Sequence, residues 1–129
     1  MANPNIVAVA SIYGESVGYN LTATTTTTLM TVSSGKLLKV NRITCANVDG
    51  SAAADVTLSV TKLNFTSAGV TNFDTSGTFF LAKTISVPAD ATLVLLDTPI
   101  YLMEADVLKG GASAASDLDL VISYDVIAV

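Results

Sequence analysis

A chain of 129 residues suffices for one domain and leaves little room for a second. Half of its residues are hydrophobic and only 13% are charged, against about 25% in an ordinary globular domain, so Ser, Thr, Ala, Asn and Gly must supply much of the surface. The net charge of −5, six cations scattered from Lys36 to Lys109 and no histidine exclude a basic stripe for nucleic acid and the usual Ser/His or Cys/His catalytic groupings.

The N-terminal Met-Ala-Asn-Pro-Asn has no basic region, and the apolar run 6–10 is too short for a signal core or a membrane span. A cytoplasmic origin without a membrane anchor is the expectation. Residues 1–5 read as an extended arm and 6–129 as a single domain. In the first strand, 6–13, Ile6, Ala8, Ala10 and Ile12 alternate with Val7, Val9, Ser11 and Tyr13; both faces are apolar enough for a central strand or one covered by a neighbouring subunit. A turn at 14–18 and a short strand at 19–22 follow. The five threonines 24–28 favour strand or extended loop, continued by 29–32 to a turn at Ser33-Ser34-Gly35.

The stretch 37–62 reads as two long strands joined at Asp49-Gly50. In 36–48, Leu38 and Val40 have one parity while Ile43 and Cys45 have the other, and keeping both pairs inside requires a β-bulge near Asn41-Arg42. Cys45, the single cysteine, reads as a small buried hydrophobe. The small residues 51–54 lengthen the tip, after which Val56, Leu58 and Val60 face inward and Thr57, Ser59 and Thr61 outward. Residues 64–77 form the longest loop and carry Phe65 and Phe73, either a contact surface or plugs under the end of the fold.

Strand returns at 78–87, with Phe79, Leu81, Ile85 and Val87 on one face. A turn at 88–90 leads to 92–96, an apolar run expected to be buried on both sides. Segments 100–102 and 107–109 read as a short pair about the acidic corner 103–106. Gly110-Gly111 and the Ala/Ser run to 116 read as a flexible loop. The last strand, 117–127, has the cleanest alternation: Leu118, Leu120, Ile122, Tyr124 and Val126 inward, Asp117, Asp119, Ser123 and Asp125 outward. About nine or ten short strands and no helical stripe define an all-β fold, an antiparallel β-sandwich of jelly-roll or Ig-like kind.

Chemistry is sparse. One cysteine without histidine builds no zinc site, and Gly110-Gly111 lacks the context of a phosphate loop. The carboxylate pairs Glu104/Asp106 and Asp117/Asp119 could hold Ca²⁺ or act as acid and base, but neither is accompanied by further ligands. The triplets at Asn20 and Asn64 match the glycosylation pattern without a secretory signal. No catalytic residue, metal or cofactor is expected.

Several segments carry a resemblance: Ala2-Asn3-Pro4-Asn5-Ile6-Val7, Ile12-Tyr13-Gly14, 35–41, Asn47-Val48-Asp49-Gly50 with 51–56, 81–89, Pro99-Ile100-Tyr101-Leu102, Glu104-Ala105-Asp106 and Ile122-Ser123-Tyr124-Asp125. Together they look like small virion structural proteins of tailed phages, particularly those infecting marine cyanobacteria. The resemblance implies a non-enzymatic, many-copy virion component, present in the host cytoplasm during assembly. The role it favours is a capsid decoration or cement protein that bridges major capsid subunits, commonly as a trimer. A neck, tail or fibre component is the alternative, and a carbohydrate-binding sandwich a more distant one, since Trp is absent. For such a role the candidate subunit interface is Asn3, Pro4, Asn5, Val7, Val9, Tyr13, Phe65 and Phe73.

Overall fold

Strand alternation decides which side chains meet, and the strands with the cleanest alternation build the interior. The computed structural model describes residues 8–63, 65, 67–72 and 76–128. Among them it has nine strands and no helix: β1 (Ser11–Asn20), β2 (Thr27–Thr31), β3 (Lys36–Asn47), β4 (Ala54–Lys62), β5 (Gly77–Val87), β6 (Thr92–Leu96), β7 (Ile100–Leu102), β8 (Val107–Ala112) and β9 (Leu118–Ala128). They form two antiparallel sheets packed as a β-sandwich. One sheet runs β1-β9-β3-β6, with β7 beside β6 on the same side of β3; the other runs β2-β8-β4-β5. The pairings nest: β1 with β9, β2 with β8, β3 with β6 and β7, β4 with β5.

Val40, Ile43 and Cys45 of β3 meet Val56 and Leu58 of β4 and Leu118, Leu120 and Ile122 of β9 in one core. All eight are fully buried. The bulge expected near Asn41-Arg42 is present as a shift in the β3–β9 register between Val40 and Arg42. It changes the phase of β3, so Leu38 and Val40 before it and Ile43 and Cys45 after it share the interior.

The hairpin expected over 37–62 is not formed. β3 is bonded on both sides, to β9 and to β6 with β7, and β4 likewise to β5 and β8. Neither strand has a free edge for the other, so they face each other across the core and the segment between them crosses from sheet to sheet. The segments 100–102 and 107–109 part in the same way, β7 joining β3 and β8 joining β2 and β4.

Two expected breaks are strand instead. Residues 14–18 lie inside β1, where Gly14 pairs with Asp125 and Gly18 with Val121, while Ala8 to Ala10 precede the strand and Ile6 and Val7 lie outside the described residues. Gly110 and Gly111 are buried in β8. A Cβ on Gly111 would stand 2.9 Å from the Thr25 carbonyl oxygen, so its bare backbone lets the threonine segment cross the sheet. That segment is loop as far as Thr26 and strand only from Thr27.

Two inward assignments change. In β5 the register with β4 shifts twice, opposite Val56/Leu58 and Leu58/Ser59. Ala82 therefore takes the inward place opposite Leu58 and is buried, with Leu81 half-buried; Val87 is buried as expected, while Phe79 and Ile85, though paired with the buried Val60 and Val56, are exposed at the end of the sheet. Ser59, expected outside, is buried beneath the same irregular stretch. β6 is an outer strand with alternating exposure, because among the described residues it pairs only with β3, and Val94 stands out to solvent. The inward set of β9 is as expected at Leu118, Leu120 and Ile122 and half-buried at Tyr124 and Val126. Among the described residues no helix is long and apolar enough to cross a membrane.

Candidate subunit interface

Of the eight interface candidates, Asn3, Pro4, Asn5, Val7 and Phe73 lie outside the described residues. Val9 is half-buried just before β1, where the neighbouring Ala10 N–H donates to the Ala128 carbonyl at 2.9 Å. Tyr13 is 59% exposed on β1, an edge strand. Phe65 is half-buried in the loop between β4 and β5. Of the described candidates, Val9 and Tyr13 belong to the β1 edge of one sheet, and Phe65 to the loop that enters the β5 edge of the other.

An exposed apolar surface lies at that second edge. Phe79 and Phe80 are each 51% exposed, and between β5 and β7 the two sheets leave a cleft of about 320 Å³ lined by Val60, Lys62, Phe79, Leu81, Ile100, Tyr101 and Leu102. The sequence carried one signal for it. Two adjacent phenylalanines in a strand must point to opposite faces, so at least one had to leave the core. A second exposed apolar row crosses the outer face of the other sheet, where Val94 and Val121 flank Thr44 in register.

The expected acidic pair Glu104/Asp106 is divided by burial. Asp106 is fully buried and forms an ion pair with Lys62. Its carboxylate also accepts the Met103 N–H at 2.8 Å and, more weakly, the Leu63 N–H at 3.4 Å. Lys62 donates in addition to Met103 Sδ at 3.1 Å. Asp106 is thus a structural pin between the end of β4 and the crossover from β7 to β8, while Glu104 remains half-buried in the turn. In the other pair, Asp119 accepts the Asn20 Nδ2 at 2.6 Å, and Asp117 uses its carbonyl to accept the Val48 N–H. Among the described residues no group of three or more His, Cys, Asp or Glu could hold a metal ion.

A smaller, polar cleft of about 220 Å³ lies on the outside of the β8–β4 sheet, bordered by Thr24, Thr26, Asp55, Thr57, Thr84 and Ser113. There the Thr84 N–H donates to Thr57 Oγ1 at 3.1 Å, which holds Thr84 at a left-handed φ of 49°. A β-branched residue adopts that conformation only under constraint from its surroundings.

Cys45 is fully buried, and its thiol is pushed up to about 11 by burial and, less, by the charge of Asp119. Burial also raises Tyr19 and Tyr124, the latter helped by Glu15. The folded state favours the neutral thiol. Below the ordinary value of 9.0 its contribution to stability is complete, and it is lost as the pH rises from there through about 11, because the unfolded chain releases the proton first. Urea midpoints measured between about pH 8 and pH 11 should fall, and fall less in Cys45→Ala, with the tyrosines supplying the remainder.

Comparison of the chain with protein-family models and with curated proteins finds no match.

Proposed function

We propose that the chain is a non-enzymatic structural component of a phage virion, a decoration protein that clamps neighbouring capsid subunits in many copies. The nested strand pairing carries this reading. When β6 and β7 are taken as one interrupted strand, the outermost pair (β1 and β9) encloses β2 with β8, then β3 with β6 and β7, then β4 with β5. That is the order of a long hairpin rolled into two four-stranded sheets, which favours the jelly roll over the Ig-like sandwich. Jelly rolls recur in viral capsid proteins, and also in lectins and cupins. The low charge and the exposed apolar residues at β1 and β5 suit a surface that works against other protein.

The test is the number of copies per particle, measured by quantitative mass spectrometry of purified virions. Several hundred copies agree with decoration; about six or twelve, the numbers set by ring symmetry at a portal or tail, assign the chain to the neck or tail instead; none overturns the virion reading. Within the decoration reading, residues 2–5 and the first strand contact the neighbouring subunit. Deleting residues 2–5 should weaken the oligomer, or its hold on the particle, and leave monomer thermal unfolding nearly unchanged. An unaltered oligomer by light scattering refutes that role for the arm.

A carbohydrate-binding sandwich is the second reading, favoured by the hydroxyl-lined cleft around Thr24, Asp55 and Thr57. No aromatic side chain borders that cleft, so a glycan array is expected to be blank.

A further inference from the structure

We propose that the open edge of β5 receives an extended segment of a partner protein, with one apolar side chain entering the cleft between β5 and β7 and acidic residues on either side of it. Among the described residues β5 ends its sheet, so one side of its backbone has no strand partner among them. Its ladder with β4 is regular from Gly77 to Phe80 and irregular beyond, where Lys83 and the left-handed Thr84 follow. Bulges and lysines are the devices that keep an edge from pairing. Here they guard only the later part of the strand, and Gly77, Thr78, Phe79 and Phe80 carry no charge, proline or bulge.

Register determines what an added strand would touch. Phe79 is paired with the inward-facing Val60, and Phe80 with Ser59 on the opposite face. Alternate side chains of a strand laid beside them would therefore fall over the apolar cleft, whose volume of about 320 Å³ accommodates one large side chain. The flanking side chains would stand on the other face, near Lys83, whose Nζ lies 4.9 Å from the centroid of the Phe80 ring. At the cleft, Lys62 has three N–H donors, of which Asp106 and Met103 Sδ take two. Its side chain is 17% exposed, leaving the third donor for a carbonyl or carboxylate of the incoming segment. The Lys62 charge is balanced by Asp106, but Lys83 has no ion-pair partner among the described residues, and its charge favours acidic residues in the strand beside it. In such strand addition, main-chain hydrogen bonds give affinity and the side-chain pocket gives specificity.

The inference rests on the reading above in taking the chain to work by binding other proteins. Its test needs no particle: the capped peptide Thr-Asp-Leu-Asp-Thr is titrated into isotope-labelled full-length protein and followed by NMR. The expected result is saturable change at the amides of Thr78, Phe79, Phe80, Val60 and Leu102. Affinity should fall roughly tenfold when Leu in the peptide becomes Ser or when the protein carries Phe79→Ala, the loss expected for one buried apolar side chain. Phe79 is half exposed, and the peptide substitution leaves the protein unaltered, so misfolding does not confound the comparison. Absence of saturable change at peptide concentrations of about 5 mM, or change confined to other surfaces, overturns the proposal. So does movement of the same amides with protein concentration alone, which would assign the edge to a second copy. Peptide binding with no copies in virions overturns the virion reading and leaves this face standing; many copies without peptide binding does the reverse.

Discussion

Asp106→Ala is expected to lower the free energy of unfolding by about 3–5 kcal/mol, the usual cost of removing one partner from a buried ion pair. The fully buried carboxylate holds Lys62 and accepts the Met103 N–H and, at longer range, the Leu63 N–H. Its loss leaves those amides without their acceptor and the largely buried Lys62 ammonium without its counter-charge. Native domains have only about 5–15 kcal/mol in hand, so a large shift of the urea midpoint follows. Lys62→Met should cost less than Asp106→Ala if the two amides keep their carboxylate. The double variant Lys62→Met/Asp106→Leu should recover part of the loss by removing the unpaired charge, but not all of it, because the amides remain orphaned. Equal stability of Asp106→Ala and the parent in equilibrium unfolding would refute the pin.

Asn47→Ala should cost about 2–4 kcal/mol, summing a few hydrogen bonds at about 1 kcal/mol each with the penalty for leaving buried groups unpaired. Asn47 ends β3 and is buried. Its Nδ2 donates to the carbonyls of Ala52 at 3.0 Å and Val87 at 2.9 Å, and its Oδ1 accepts the Asp49 N–H at 2.9 Å. One side chain thus ties the end of β3, the tip of the crossover and the end of β5, where the chain passes between sheets. Asn47→Asp keeps the acceptor for Asp49 but loses both donations and sets a carboxylate against two carbonyls, so it should be at least as destabilising. Val48→Ala, an exposed neighbour, should change stability by less than about 0.5 kcal/mol. Calorimetry or urea unfolding of the three variants checks the order.

Both residues show how unevenly the site was legible. Asp106 was visible as half of an acidic pair with Glu104 that could hold Ca²⁺ or act as acid and base. The pairing with Lys62 joins residues 44 apart, and no local pattern in the sequence announces it. Asn47 stood beside a conspicuous Asp-Gly, which signals a turn but not whether the turn returns the chain to the same sheet. At the candidate interface, Tyr13 is exposed on the β1 edge, and alternation alone does not separate it from Ile12 of the opposite face, which is equally exposed. Phe79 has the expected face, opposite Val60, but β5 ends its sheet and leaves that face half uncovered, which parity alone does not reveal.

The sequence by itself determined the β class, the inward faces of β3 and β9 and the bulge that lets β3 change phase, since alternation with a period of two is a local property of an extended backbone. Tertiary structure decided which strands share hydrogen bonds and which only face one another. The stretch 37–62 has the alternation of a hairpin, yet β3 and β4 lie in opposite sheets because each already has partners on both edges. Gly14, Gly18, Gly110 and Gly111 were read as breaks for the same reason: local preference for a turn yields where flanking ladders hold the backbone extended. Edge satisfaction is a property of the whole sheet, and it emerges only when distant strands are brought together.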